Sequence, residues 1–245
     1  MKLYKALLIL SALFVGSMLP RYAHAQIGEP RNQLSIGVNG GMVFNTMSFD
    51  PTIKQLSHKG KSFGVTLRYI CEKYFTTVCA VQAEINYTQL GWEEDIMNAS
   101  GQPLPNTYQR NMDYLQLPLL ARLSWGKEKG GLMFFILLGP QLGYCMNETD
   151  KRSSEWTLAE SGQPDRPNNV CQQYDLKIQN KLDYGLLGGL GLEFNTRKGQ
   201  HFMLDGRYYY GLSDVFKNGK KDPFSRSSHS SICAKFTYLF NLFDE

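Results

Sequence analysis

A two-residue alternation of apolar and polar side chains recurs along this chain, and it restricts the possible folds more than any other feature. Successive side chains of a strand point to opposite faces, so this period indicates β-structure. It is found in the segments 34–45, 62–69, 79–88, 114–125, 183–194, 201–210 and 232–241, with Val43 and Leu120 out of pattern. An eighth segment, 132–144, is apolar on both faces, which leaves its orientation open.

The connections between these segments alternate in length. Short connections are 71–76, 126–131 and 195–200, whereas 46–61, 89–111, 146–181 and 212–229 are long. Short periplasmic turns and long extracellular loops are typical of bacterial outer-membrane barrels, and most segments are near the roughly 9 to 11 residues that a tilted spanning strand needs. We therefore predict an all-β fold, an eight-stranded antiparallel transmembrane β-barrel with both termini in the periplasm.

The two faces of the segments differ in charge. One face has essentially no charged residue, as lipid contact requires, because Lys or Arg there costs roughly 2 to 4 kcal/mol at mid-bilayer. A soluble eight-stranded barrel of the lipocalin kind is the main alternative, and it would turn the apolar face inward. The charges of the polar face favour the membrane barrel. They are Arg68, Glu84, Arg122, Asp183, Glu193, Asp205, Arg207 and Lys235.

These four bases and four acids are expected inside the barrel. An eight-stranded barrel is just wide enough to be filled by its own side chains, so we expect a paired polar plug and no open pore. A proton relay or a binding site is the alternative interpretation, but unpaired buried charges would carry a large desolvation penalty.

Aromatic residues cluster where the strands should leave the hydrocarbon, which predicts two interfacial girdles. The turn side has Tyr69, Tyr74, Phe75, Trp125, Phe194 and Phe202, and the loop side has Phe44, Trp92, Tyr184 and Tyr210.

The N-terminus has the features of a secretory signal peptide. Lys2 and Lys5 precede an apolar run, and an Ala-His-Ala site at 23–25 predicts residues 1–25 as the signal and 26–245 as the barrel domain. A retained anchor is the alternative, but the run is shorter than the roughly 20 residues of a spanning helix. The formal net charge of the full chain is +4. The predicted signal contains three basic residues and no acidic one, so the barrel domain would carry 4 − 3 = +1. Nucleic acid is therefore not an implied partner.

The chain has five cysteines, an odd number for an exported protein, so at least one thiol stays unpaired or pairs between molecules. Cys145 and Cys171 bracket the largest loop and are the expected disulfide. Closing that loop would stabilise the protein by about 3 kcal/mol. Pairing of Cys71 with Cys79 across the first turn is the alternative.

No catalytic, cofactor or metal site is predicted. His58 and His229 lie on different predicted loops with Asp50, Asp150 and Ser227 available at the rim, but no Ser/His/Asp or His/Asp spacing marks a site. The cysteines have no C-x-x-C spacing, and the glycines of 185–191 lack the GK[ST] ending of a phosphate loop. We expect neither an enzyme nor a cofactor.

Several motifs follow one another in a characteristic order. They are Gly-Val-Asn-Gly-Gly at 37–41, Ala-Glu-Ile-Asn-Tyr-Thr-Gln-Leu-Gly-Trp at 83–92, Tyr-Leu-Gln-Leu-Pro-Leu-Leu at 114–120, Leu-Gly-Pro-Gln at 138–141 and Arg-Tyr-Tyr-Tyr-Gly-Leu at 207–212. In these the sequence resembles the PorT-like family of outer-membrane β-barrels over nearly the whole mature chain. The motifs are strand ends and turns. The family's namesake is needed for type IX secretion, in which cargo proteins cross the outer membrane.

The resemblance implies an accessory component of protein secretion in the outer membrane of a Gram-negative bacterium. The expected partners are outer-membrane lipid and, through the extracellular loops, other envelope or secretion proteins. A stand-alone surface barrel with a binding or envelope-stabilising role is the alternative.

Overall fold

The computed structural model describes residues 28–98, 100–153 and 172–243. In order along the chain, its elements are β1 Glu29–Asp50, β2 Gln55–Leu56, β3 His58–Tyr74, β4 Thr77–Glu94, β5 Tyr108–Gly126, β6 Gly131–Arg152, a 3₁₀ helix Gln172–Tyr174, β7 Leu182–Asn195, β8 Gln200–Gly211 and β9 Arg226–Phe243. Within these described ranges no helix is long and apolar enough to cross a membrane. The predicted signal, residues 1–25, lies outside them.

The eight long strands form a closed antiparallel ring. Each strand pairs with the strands before and after it, and β1 pairs with β9 from Leu34 opposite Phe243 to Asp50 opposite Arg226. Closure removes the free edges that a sheet would otherwise present. The short strand β2 lies outside the ring and pairs with the end of β4. The prediction of an eight-stranded all-β barrel is confirmed.

The outward face of the ring is a band of exposed apolar side chains. Leu138 is 64% exposed, Leu204 62% and Val38 60%, and a contiguous apolar surface of this extent would be unusual in water. On β3 the outward series runs from Tyr69 through Leu67 and Val65 to Phe63, and then changes to Lys61. The apolar band therefore ends at this lysine on the loop side.

The orientation of the doubly apolar strand β6 follows from its burial. Met133, Phe135 and Leu137 point inward, whereas Phe134 and Ile136 point outward. An inner apolar cluster thus forms inside the ring, where it fills space beside the polar residues. Its members are Leu120, Phe135, Leu137, Leu187, Met203, Tyr209 and Leu239.

Apolar packing inside the ring also explains the two exceptions to the alternation, since Leu120 belongs to the inner apolar cluster and Val43 to a second buried apolar cluster towards the loop end. Leu120 and Val43 occupy inward positions of β5 and β1 and keep the phase of their strands. They are apolar residues on the inner face, so the backbone needs no irregularity to accommodate them.

The strands extend further at the loop end than the alternating segments predict. β4 continues to Glu94, β5 begins at Tyr108, and β6 continues to Arg152. The pairing of β4 with β5 and of β5 with β6 persists in these extensions. Much of the chain predicted as loop is therefore strand that projects beyond the apolar band.

A charge placed in the middle of the apolar band should destabilise the barrel. We expect Leu138→Arg to lower the free energy of unfolding in lipid vesicles by about 2 to 4 kcal/mol, because the guanidinium meets hydrocarbon. Leu56→Arg is the matched control, since Leu56 is 49% exposed on β2, outside the ring. Its effect should stay within about 0.5 kcal/mol. Urea titration followed by tryptophan fluorescence measures both, and equal losses would contradict the lipid-facing assignment.

Candidate functional site

The eight inward charges predicted from the sequence are all buried, with exposed fractions of 3% or less. They separate along the barrel axis into three groups. We call these the turn-end cluster (Arg68, Arg122 and Glu193), the central cluster (Glu84, Asp205, Arg207 and Lys235) and the isolated carboxylate Asp183.

The turn-end cluster is two guanidinium groups sharing one carboxylate. Arg68 Nη1 donates to Glu193 Oε1 at 2.7 Å, and Arg122 Nη2 donates to Glu193 Oε2. The Arg122 guanidinium also lies 4.0 Å from the centroid of the Phe135 ring, a cation–π contact with the inner apolar cluster. His201, which the sequence does not predict as a member, places Nδ1 2.8 Å from Glu193 Oε1. Its only sequence signal is its inward phase on β8.

The central cluster balances two bases with two acids. Arg207 Nη1 and Lys235 Nζ donate to Glu84 at 2.9 and 3.0 Å, and Arg207 Nε donates to Asp205. Gln82 and Asn86 also donate to Glu84, at 2.7 and 2.8 Å. The Glu84 carboxylate is thus surrounded by four donors, which compensates its desolvation.

Asp183 departs from the predicted pairing. It accepts hydrogen bonds from Tyr209 Oη and Ser213 Oγ, both at 2.6 Å, and forms no ion pair with any described residue. The predicted paired plug is therefore incomplete. Asp183 has no basic partner because it lies near the start of β7, at the loop end, where no inward lysine or arginine of a neighbouring strand pairs with it.

Above the polar interior, the strand extensions and loops fold together into an apolar core that we call the loop-end cap. Phe49 packs edge-on against Trp92 with ring centroids 5.2 Å apart, and Phe224 lies 5.2 Å from Phe49. Tyr108 and Tyr174 meet at 4.7 Å. The cap comprises Val43, Met47, Phe49, Leu90, Trp92, Ile96, Tyr108, Met112, Tyr114, Cys145, Tyr174, Ile178, Val215, Phe216 and Phe224.

Polar contacts fix this cap to the barrel. The buried carboxylate of Glu94 accepts from Tyr174 Oη at 2.6 Å and from Trp92 Nε1 at 3.2 Å. Asn45 Nδ2 donates to the carbonyl of Gly91 at 2.6 Å. Burial raises the pKa of Tyr108 to about 12, so this cap residue stays a neutral phenol at physiological pH.

A family sequence model supplies the decisive comparison. The model of the outer membrane protein beta-barrel domain matches residues 24–217, well over half of the chain. The chain belongs to this outer-membrane β-barrel family. It is therefore an outer-membrane protein embedded in lipid. No curated protein matches its sequence significantly.

Solved outer-membrane barrels also resemble this family member. Ail, the attachment invasion locus protein of Yersinia pestis, is 14% identical, with 86% of this chain and 99% of Ail covered at a TM-score of 0.39. OprG from Pseudomonas aeruginosa is also 14% identical, covering 87% and 98% at 0.41. Neisserial surface protein A is 10% identical, covering 84% and 96% at 0.41.

The two histidines expected on loops lie instead in strands of this outer-membrane barrel. His58 begins β3 and His229 lies in β9, and both are almost completely buried. His58 Nε2 is 2.6 Å from Asn111 Oδ1, whereas His229 lies 3.2 Å from Tyr114 Oη. Among the described residues, neither histidine hydrogen-bonds to a serine or a carboxylate.

The other rim residues are not assembled with the histidines. Asp50 accepts from Ser225, Asp150 pairs with Arg152, and Ser227 Oγ accepts from the amide of Phe216. Asp50, Asp150 and Ser227 lie in strand extensions rather than in loops, so the strand alternation decides whether each side chain faces the interior or the surface.

The prediction that Trp92 belongs to the loop-side girdle is wrong, because Trp92 is fully buried in the loop-end cap. The inward phase of β4 continues through residue 94 and includes Trp92.

Cys145 is buried, whereas Cys171 lies outside the described residues, so their disulfide stays a prediction. In the described part of the chain, no group of three or more His, Cys, Asp or Glu residues could hold a metal ion.

Replacing the shared carboxylate Glu193 should show how much the buried ion pairs stabilise the barrel. We expect Glu193→Gln to lower the free energy of unfolding by about 3 to 5 kcal/mol, because two buried guanidinium groups lose their counter-charge. Glu128→Gln is the matched control at the same end, where a partly exposed carboxylate pairs with Lys73 at 2.7 Å. It should cost about 0 to 1 kcal/mol. Urea unfolding in micelles compares the two, and equally small losses would contradict this role of the ion pairs.

The loop-end cap should depend on Trp92. We expect Trp92→Ala to raise the rate of tryptic cleavage at Lys217, Lys220 and Lys221 at least about tenfold, because emptying a buried indole site costs about 3 to 5 kcal/mol and loosens the neighbouring loop. Phe63→Ala, which truncates a lipid-facing ring, should leave the rate unchanged. Cleavage of both variants alike would mean that the cap does not protect this loop.

Proposed function

We propose that this outer-membrane barrel is a PorT-like accessory component of protein secretion that acts through protein contacts. The proposal rests on the family motifs in the sequence, and the loop-end cap is the observation that supports the mode of action. A cap packed on strand extensions presents a preformed surface, which lowers the ordering cost of binding a partner.

A pore function is not part of the proposal. Side chains of the turn-end cluster, the central cluster and the inner apolar cluster occupy the interior, and the loop-end cap covers the loop end. A barrel of eight strands has no room for a folded cargo protein. A role in secretion would therefore consist of holding or recruiting other components.

We propose further that residues 1–25 are removed and that residues 26–245 form the mature barrel with both termini in the periplasm. The turns would then face the periplasm and the loop-end cap the cell exterior. Short turns such as 126–131 offer little surface, so partners would bind the cap side. Catalysis is not proposed, since the candidate histidines are buried and bonded to neutral groups.

Single-cysteine labelling tests this orientation. In an otherwise cysteine-free protein, we expect Asn98→Cys and Ser225→Cys to react with a membrane-impermeant maleimide on intact cells, because both lie at the loop end. Lys127→Cys and Lys198→Cys, at the turn end, should react only after lysis. The reverse pattern would place the loops in the periplasm.

A deletion strain tests the secretion role. We expect loss of the gene to trap secreted cargo in the cell without raising permeability to small solutes, because the barrel is filled. Deleting residues 153–167 should reproduce the defect while the barrel still assembles, as shown by its heat-dependent migration in gels. Normal cargo export in the deletion strain would refute the secretion role. The stand-alone surface barrel would then be the better interpretation.

A further inference from the structure

The turn end of the barrel contains a cavity of about 140 Å³. Its floor is the turn-end cluster, and its mouth is formed by the β5–β6 turn, the β7–β8 turn and the first residues of β1. A cavity of this size holds several waters or a small ion.

The walls of this cavity carry an excess of positive charge. Five lysine and arginine side chains line it, together with His201, against two carboxylates. The bases are Arg31, Arg68, Arg122, Lys129 and Arg197, and the acids are Glu128 and Glu193.

Both carboxylates of the lining already form ion pairs with basic side chains. Glu193 is shared by Arg68 and Arg122, which leaves one positive charge over in the turn-end cluster. Glu128 is bound by Lys73 at 2.7 Å and lies 3.8 Å from Arg31, which has its closer partner in Glu29 at 3.0 Å. Neither Lys129 nor Arg197 forms an ion pair with a residue in the described part of the chain.

Two guanidinium nitrogens that belong to the lining also lack hydrogen-bond partners. Arg68 Nε and Arg31 Nε are both buried atoms without an acceptor, although the other Arg68 nitrogens bond to Glu193 and Ser35. A buried donor without a partner is costly, and an excess buried charge more so. One oxyanion in the cavity would compensate both.

We propose that the turn-end cavity is a binding site for a small oxyanion, a phosphate or carboxylate group that enters from the turn side. The excess charge of Arg68 and Arg122 attracts it, Arg68 Nε and Arg31 Nε donate to it, and Lys129 and Arg197 attract it at the mouth. Arginine donors suit such groups because guanidinium geometry matches planar and tetrahedral oxyanions. This site is separate from the loop-end cap and does not depend on the secretion role.

Calorimetric titration of the full mature protein with inorganic phosphate, in micelles of an uncharged detergent, tests the proposal. We expect saturable binding that the double variant Lys129→Gln/Arg197→Gln weakens by about tenfold. The matched control is Lys127→Gln/Lys198→Gln, which removes the same charge from the same two turns at positions outside the cavity lining. It should change the affinity by less than about twofold. Absence of saturable binding, or equal weakening in both double variants, would overturn the site.

Side-chain NMR of the arginine Nε–H groups locates the anion without altering the protein. Phosphate should shift the Arg68 signal in the native sequence, whereas a shift confined to Arg197 would mean that the anion stays at the mouth and would overturn the interior site. Competition by acetate assigns the site to carboxylates as well as phosphates. Competition by phosphatidylglycerol added to the micelles assigns the phosphate to a lipid headgroup, and its failure to compete assigns it to a free ion.

Discussion

Backbone hydrogen bonding in a medium without water is the constraint on which the rest of this structure depends. Each N–H and C=O group in the hydrocarbon needs a partner within the chain, and a β-structure can supply all of them only by closing on itself. The pairing of β1 with β9 completes that closure. Closure in turn fixes the outward residues as a charge-free band and assigns the charged side chains of the spanning segments to the interior.

The interior then has to satisfy its own charges in a narrow space. Glu84 does so with four donors, and Glu193 with two arginines and His201. Apolar residues such as Phe135 and Met203 fill the remaining volume, so the barrel interior is a mixed core of ion pairs and hydrocarbon. Ion pairs of this kind add little net stability over apolar packing, but they are costly to break once formed.

The sequence predicts the spanning part of the fold well, because a strand with one apolar and one polar face can be oriented in lipid in only one way. The exception is β6, whose two apolar faces leave its orientation open. Even the apparent exceptions Val43 and Leu120 keep their phase. It predicts the loop end poorly, since strand pairing beyond the lipid no longer requires an apolar outward face. His58, Trp92 and His229 are therefore assigned to the wrong environment. The partners of Asp183 lie on the neighbouring strand β8 and just after it, and the alternation does not show which polar groups meet there.

The net charge of the buried clusters changes sign along the barrel axis, from the turn end to the loop end. The turn-end cluster of Arg68, Arg122 and Glu193 carries one excess positive charge, the central cluster carries none, and Asp183 near the loop end carries one negative charge. These eight buried charges sum to zero, yet they form an electric dipole aligned with the barrel axis. Low-dielectric walls screen such a dipole weakly, so its field should extend to both mouths with opposite sign.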